Sequence, residues 1–474
     1  MKKMSILFTL ILFVILMPEC KGEPGHEISF RINGLSDSSV YLAYHLGDRQ
    51  YIRDTVVVDS NGSGIFSGDE TLPEGIYMIV LPGNRYFELL ISDDQEFSVS
   101  CSHDDAFNTL EFSGSEINTR FMEYQKNWVA MQQKASAIGK RILVNSQNRD
   151  SLNLLSVLQK EQEQKMIGYL RQVEENNRGN LLSVLVRAML PVEPHDFNID
   201  PGNPLADSLR WVMEYNYNKN HYFDNLNLND ERLLRTPLLS SRLSAFFTNV
   251  VIQAPDSINS EIDRLITMTS GNYKVFQYVA VWLFNHFRES SIMGHDAVMV
   301  KIADDIYLSG KADWVTKEFL TDLEKQINLL RPNLIGMPAQ NLIMDSFNGN
   351  YVSLYDIEKD YTVLYFWEPD CGFCKETTPK LRDLYGELKE DNIEVFTVCT
   401  TAEREEWEEY IRNNNLGSWI NGWDPERRTN YAFFYNVQAT PLLYILDREK
   451  KIIAKKIGVE DIVPFIENHR KYYN

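Results

Sequence analysis

Cys371 and Cys374 carry the clearest chemistry in this 474-residue chain. They follow the apolar run Tyr361-Thr-Val-Leu-Tyr-Phe-Trp367 and a Glu-Pro-Asp turn, and precede residues 375–389, where Leu381, Leu384 and Leu388 recur at helical spacing. A Cys-x-x-Cys pair between a strand and a helix is the sequence form of a site that cycles between dithiol and disulfide. A thiolate at the first cysteine faces the unpaired N–H groups and positive dipole end of the helix, which lowers its pKa from about 8.5 toward roughly 3.5–7.5. The second cysteine lies one turn further in. It is placed to attack a mixed disulfide and release the partner. Zinc would need a second ligand pair, and the C-terminal third offers only His469 besides its cysteines, so neither metal nor cofactor is expected.

The elements that must hold this pair read as follows. Ile393-Glu-Val-Phe-Thr-Val-Cys399 is a second buried strand and 402–414 a helix, whose acidic run Glu403-Arg-Glu-Glu-Trp-Glu-Glu409 is a solvated face. In Gln438-Ala-Thr440-Pro441-Leu-Leu-Tyr-Ile-Leu-Asp447 a proline stands at the mouth of a strand, where its missing N–H costs no ladder bond. From about 333 to 474 the residues resemble the thioredoxin superfamily, and within it the TlpA/ResA-like branch. Gly336-Met-Pro338, Leu342, Asp345, Gly349 and Val352-Ser-Leu354 are similar to that branch's leading hairpin. The resemblance implies an α/β thioredoxin-like domain in which Cys371 and Cys374 form the redox disulfide. It also implies that Pro441 is cis against that pair and that the backbone of Thr440 binds the substrate chain. Trp367 is expected beside the pair as part of the substrate site. Protein thiols and disulfides are the implied partners, with an upstream membrane electron donor.

The chain departs from that pattern at three places. The family's acidic or amide residue beneath the disulfide, six positions before the first cysteine, is Tyr365 here. The glutamate three residues after the second cysteine is Thr377, with Glu376 one position earlier, and the intervening dipeptide is Gly-Phe. Fold and chemistry carry over through these changes; reduction potential and direction of electron flow do not.

The remaining sequence sets compartment and organisation. Met1-Lys-Lys-Met and the apolar residues 5–17 read as a signal peptide, too short for a spanning helix of about 20 residues. Cys20 lies where a lipidated cysteine would lie, although Pro18 and Glu19 precede it, and cleavage after Gly22 would discard it; both outcomes stay open. Either way the chain is expected in the periplasm or anchored at the cell envelope. Five cysteines make no disulfide scaffold, and Cys101 and Cys399 read as buried core thiols. A net charge of −20 argues against nucleic acid and anionic lipid as partners.

The expected layout is multidomain. A signal peptide at 1–22 precedes an antiparallel β domain at 23–113, built on the alternation of Ile28, Phe30 and Ile32 and on turn signals at Asn61-Gly62 and Pro82-Gly83. A helical domain follows at 114–332, with apolar stripes over 121–143, 152–175, 181–190, 275–287 and 319–330. The α/β thioredoxin-like domain occupies 333–474. This order resembles a class of Gram-negative envelope proteins in which two uncharacterised domains precede a TlpA-like end. His221 and Asp224 read as a structural loop pair, and the aromatic stretch 211–222 as core or interdomain packing. Two functions stand open: an exported thiol–disulfide oxidoreductase of reductase or isomerase type, and a binding or adaptor protein whose disulfide stays closed.

Overall fold

The computed structural model describes residues 25–473 apart from 201 and 402, so the leader and Cys20 lie outside the described residues. Among the described residues, no helix is long and apolar enough to cross a membrane. The chain divides into two units, one up to Ser244 and the other from Ala245.

The first unit begins with eight strands: β1 (His26–Asn33), β2 (Ser39–Leu46), β3 (Arg49–Val57), β4 (Ser63–Gly68), β5 (Gly75–Leu81), β6 (Arg85–Ile91), β7 (Glu96–Ser102) and β8 (Glu111–Ser113). They form two four-stranded sheets, ordered β4-β1-β7-β8 and β3-β2-β5-β6. Every second residue turns inward: Ile28, Phe30, Ile32, Phe97 and Val99 from one sheet meet Leu42, Ile79, Phe87 and Leu89 from the other in one apolar core. One pairing departs from the antiparallel expectation. β1 and β7 run parallel, with Ile28 opposite Phe97, because the chain crosses through the second sheet before returning.

Helices Glu116–Val144, Arg149–Asn176 and Leu181–Arg187 follow. The first is fastened to β6 by Asn118, wholly buried, whose amide accepts from Leu90 N at 2.7 Å and donates to Leu90 O at 2.9 Å. The side chain thus completes the hydrogen bonds that an exposed strand edge would leave open. Helix Ala206–Asn220 corrects the packing expected of the aromatic stretch. It has no buried residue, and Trp211, stacked on Tyr215, is 68% exposed. His221 Nδ1 and Asp224 Oδ2 lie 2.5 Å apart as an exposed loop pair.

The second unit opens with helices Pro255–Thr269, Tyr273–Arg288, His295–Ile302 and Lys317–Leu330. A seven-stranded sheet follows, in the order β10-β9-β13-β12-β11-β14-β15. Its strands are β9 (Ile343–Ser346), β10 (Tyr351–Ser353), β11 (Tyr361–Trp367), β12 (Ile393–Cys399), β13 (Ile420–Trp423), β14 (Leu442–Leu446) and β15 (Ile452–Lys455). β11 is buried along its whole length, sending Val363, Tyr365 and Trp367 into one core and Leu364 and Phe366 into the other. Helix Gly372–Glu390 covers the first of these with Cys374, Thr378, Leu381, Tyr385 and Leu388. At the far edge, Lys455 at the end of β15 is buried; its ammonium donates to Asn333 O at 2.8 Å and pairs with the Asp296 carboxylate.

Candidate active site

Two strand ends build the site. β11 pairs in parallel with β12 on one side, Trp367 opposite Cys399, and antiparallel with β14 on the other, Phe366 opposite Leu442. Because β14 runs against β11, the chain enters β14 where it leaves β11. Thr440 and Pro441, just before β14, therefore stand beside Cys371, just after β11. The Thr440–Pro441 peptide bond is cis, and the Cys371 thiol donates to the Thr440 carbonyl at 3.1 Å.

Cys371 is the N-cap of helix Gly372–Glu390, its sulfur accepting the Cys374 N–H at 3.3 Å. An N-cap acceptor satisfies one of the helix's orphan donors and gains most when it carries charge. Cys371 is part-exposed; Cys374, one turn in, has no accessible surface. Burial pushes the Cys371 thiol up, but hydrogen bonds from Cys374, Thr440 and the Phe373 backbone outweigh it and leave its pKa below that of a free thiol. Burial dominates at Cys374, where the nearby Cys371 adds to it, and the thiol is pushed up to about 12. Of the two sulfurs, that of Cys371 is the easier to ionise and that of Cys374 is held protonated.

The AhpC/TSA family matches residues 335–455, and a domain of unknown function, DUF4369, matches residues 26–121. Over 123 residues the chain is 32% identical to a protein named thiol–disulfide oxidoreductase ResA from Halalkalibacterium halodurans, covering 26% of this chain and 68% of that one. The chain belongs to the thioredoxin-like thiol–disulfide oxidoreductases. A second protein of that name, from Bacillus cereus, is 24% identical over 124 residues, 26% of this chain and 70% of its own. Among solved structures, a domain of a possible thiol–disulfide isomerase from Cytophaga hutchinsonii is 39% identical over 29% of this chain and 94% of that one, with a TM-score of 0.28. A thioredoxin-like protein from Bacteroides caccae is 22% identical over 58% of this chain and its own full length, with a TM-score of 0.44.

In this thiol–disulfide oxidoreductase, Trp367 does not stand where a substrate-binding residue must. It is fully buried, its ring 4.8 Å from that of Tyr410, and a side chain without accessible surface presents no face to a docked chain. Packing beneath the pair is its part. Tyr365, where the family places an acid, is also fully buried; its hydroxyl meets Thr378 Oγ1 at 2.9 Å, and burial holds it protonated. Cys101 and Cys399 are buried thiols. Among the described residues no group of three or more His, Cys, Asp or Glu side chains is arranged to hold a metal ion.

Two residues at this site escaped the sequence reading of the oxidoreductase. Phe373, between the cysteines, is 72% exposed beside the thiols. Glu368, in the turn after Trp367, accepts from the Thr440 hydroxyl at 3.2 Å and from the Thr400 hydroxyl at 3.2 Å. A carboxylate within three residues of the first cysteine was the available signal, but its partners arrive from distant sequence.

Proposed function

We propose that the chain is an exported thiol–disulfide oxidoreductase of reductase or isomerase type, acting on envelope proteins through Cys371-Gly-Phe-Cys374. The asymmetry between the two thiols carries the reading: one is part-exposed at a helix N-cap with its pKa lowered, the other is buried and protonated. The Cys371 thiolate attacks a substrate disulfide, forms a mixed disulfide and expels one substrate sulfur as thiolate. Cys374 then attacks the Cys371 sulfur and expels the second. Two electrons pass to the substrate, and the enzyme is left as a disulfide that a membrane donor reduces. The backbone of Thr440, with Pro441, holds the substrate strand by main-chain pairing. A groove of about 530 Å³ lined by Ala439, Pro441, Leu443 and Val459 continues from that edge and supports the docking role. In this proposal residues 1–22 direct export, Cys20 is the candidate lipid anchor, and the regions 23–113 and 114–332 select the partner or space the catalytic domain 333–474 from the membrane.

Brief alkylation of the reduced protein at neutral pH, read by mass spectrometry, tests the reading. Cys371 should be labelled faster than Cys374, Cys101 and Cys399 by on the order of tenfold or more, because only its thiolate is both populated and reachable. Equal labelling of Cys371 and Cys374 would remove the assigned roles. Cys374→Ser should accumulate mixed disulfides with envelope proteins and Cys371→Ser should not. The adaptor reading makes a different forecast for equilibration with glutathione: a potential below about −300 mV without exchange.

A further inference from the structure

The first unit holds an apolar cavity of about 550 Å³ that the thiol chemistry does not use. It arises from the way two long helices are buried. In helix Glu116–Val144 the buried residues, Ile117, Asn118, Phe121 and Tyr124, all lie in the first turns. In helix Arg149–Asn176 they are Leu155, Leu170 and Val173. Between them, Ile138 on the first helix and Met166 and Ile167 on the second line the cavity and stay half-buried, as does Val192 from the chain after helix Leu181–Arg187. Ala135 adds only a methyl group to that wall, so the gap stays open. The volume falls within the roughly 300–1,000 Å³ of small-molecule sites, and the unbranched thioether of Met166 lets the wall fit a flexible chain.

One wall carries a charge. Arg242, on helix Leu238–Ala245, lines the cavity half-buried. Its Nη2 donates to Tyr222 O at 2.9 Å, and its guanidinium lies over the Tyr222 ring, 4.3 Å from the centroid. These contacts hold the group in place and leave its charge uncompensated. Among the described residues no carboxylate pairs with Arg242, and its Nε, without accessible surface, has no acceptor. Arg120, Arg171 and Arg232 of the same unit each pair with a carboxylate. Glu163 also lines the cavity, but it is exposed and does not pair with Arg242. A guanidinium fixed against apolar surface, with N–H donors to spare and no counter-ion, is suited to a carboxylate.

We propose that this cavity binds a single-chain fatty-acid carboxylate, with the carboxylate at Arg242 and the acyl chain between the two long helices. One tail and one anionic head match one apolar cavity with one unpaired cation. Glu163 in the same lining disfavours a head group of more than one negative charge. The net charge of −20 opposes spreading on an anionic bilayer, which takes many contacts, and leaves room for one carboxylate held at one guanidinium. The site lies wholly in the first unit and does not depend on the dithiol reading.

Calorimetric titration of the full-length protein at neutral pH with decanoate, below its micelle concentration, reads the site, and decanol serves as the uncharged probe. Decanoate should bind saturably at one per chain and about tenfold or more tightly than decanol, the effect of a hydrogen bond between charged groups. In Arg242→Met, which keeps an apolar stem, decanoate affinity should fall about tenfold or more while decanol affinity stays, and the retained decanol binding shows that the cavity has folded. Ala135→Phe, which places a ring in the cavity, should lose both probes with its helical circular dichroism unchanged. Four results would overturn the proposal: no saturable decanoate binding in the unsubstituted protein, equal affinity for the two probes, equal loss of both in Arg242→Met, or undiminished decanoate affinity in either variant. Each of them leaves the dithiol assignment intact.

Discussion

Burial pushes Cys101 up to about 11 and Cys374 and Cys399 up to about 12, from 9.0. Each of these groups is raised above its unfolded value, so the stability it contributes is complete below pH 9 and is lost as pH rises through the folded value. The reduced protein should therefore lose stability from about pH 9 to about 12, as the unfolded chain releases protons that the native state keeps. Cys399→Ala should lessen the alkaline slope of stability by one proton, about 1.4 kcal/mol per pH unit; denaturant titrations at several pH values measure it. Identical slopes would mean that Cys399 is not held protonated by the fold. Cys371, whose pKa is lowered, works in the opposite sense, favouring the reduced native state above its own titration. At this scale the sequence was legible wherever structure is local: Cys371 and Cys374 lie within one turn, and their spacing alone predicts the N-cap and inner positions they take. Glu368 was not, because the hydroxyl it meets on Thr440 is 72 residues away. Trp367 was half legible; its position beside the pair follows from sequence, but whether its face is open depends on Tyr410 covering it.

Strands and helices were legible in proportion to how far their own pattern decided their burial. The stripes at 121–143 and 319–330 become the helices Glu116–Val144 and Lys317–Leu330. The acidic run after Glu403 becomes helix Arg404–Asn413, which turns Trp407 and Ile411 inward and leaves its glutamates largely to solvent. Helix Ala206–Asn220 defeated the reading because aromatic content signals a core only where another element covers it. The parallel pairing of β1 and β7 was also illegible, since strand direction is set by where distant chain segments return. Lys455 belongs here as well: a lysine in a strand's sequence reads as solvated, yet this one is 5% exposed, with Asn333 and Asp296 around it. Burial lowers its pKa against the pull of Asp296, so the ammonium depends on that carboxylate. Asp296→Asn should cost about 3 kcal/mol in urea unfolding, because it strands a buried charge. Lys455→Met combined with Asp296→Asn should recover most of the loss. A single substitution costing under about 0.5 kcal/mol would place this pair with exposed ones.

The two units differ in how much of their purpose the sequence discloses. The thioredoxin-like end declares its chemistry, whereas the first unit shows its architecture, a two-sheet sandwich followed by helices, without a comparable cluster of reactive groups among its described residues. The second unit includes more than the thioredoxin-like residues, because helices from Pro255 onward share it and one of them supplies Asp296. A fragment beginning at Ala245 should accordingly melt about 5–10 °C above one beginning at Asn333, which lacks that carboxylate; calorimetry of the two fragments decides, and equal melting temperatures would show that the helices add nothing. The antiparallel placement of β14 beside β11 has a consequence in time. Thr440 follows Cys371 by 69 residues, so during synthesis the thiol pair is complete before the strand end that stands beside it exists. Until β14 docks, the Thr440 carbonyl is not beside Cys371, and the sulfur kept near it by the chain itself is that of Cys374. In an oxidising surrounding the nascent pair would close on itself, and under the proposed docking role selective attack on other proteins would become available only when the last third of the domain has been made and folded.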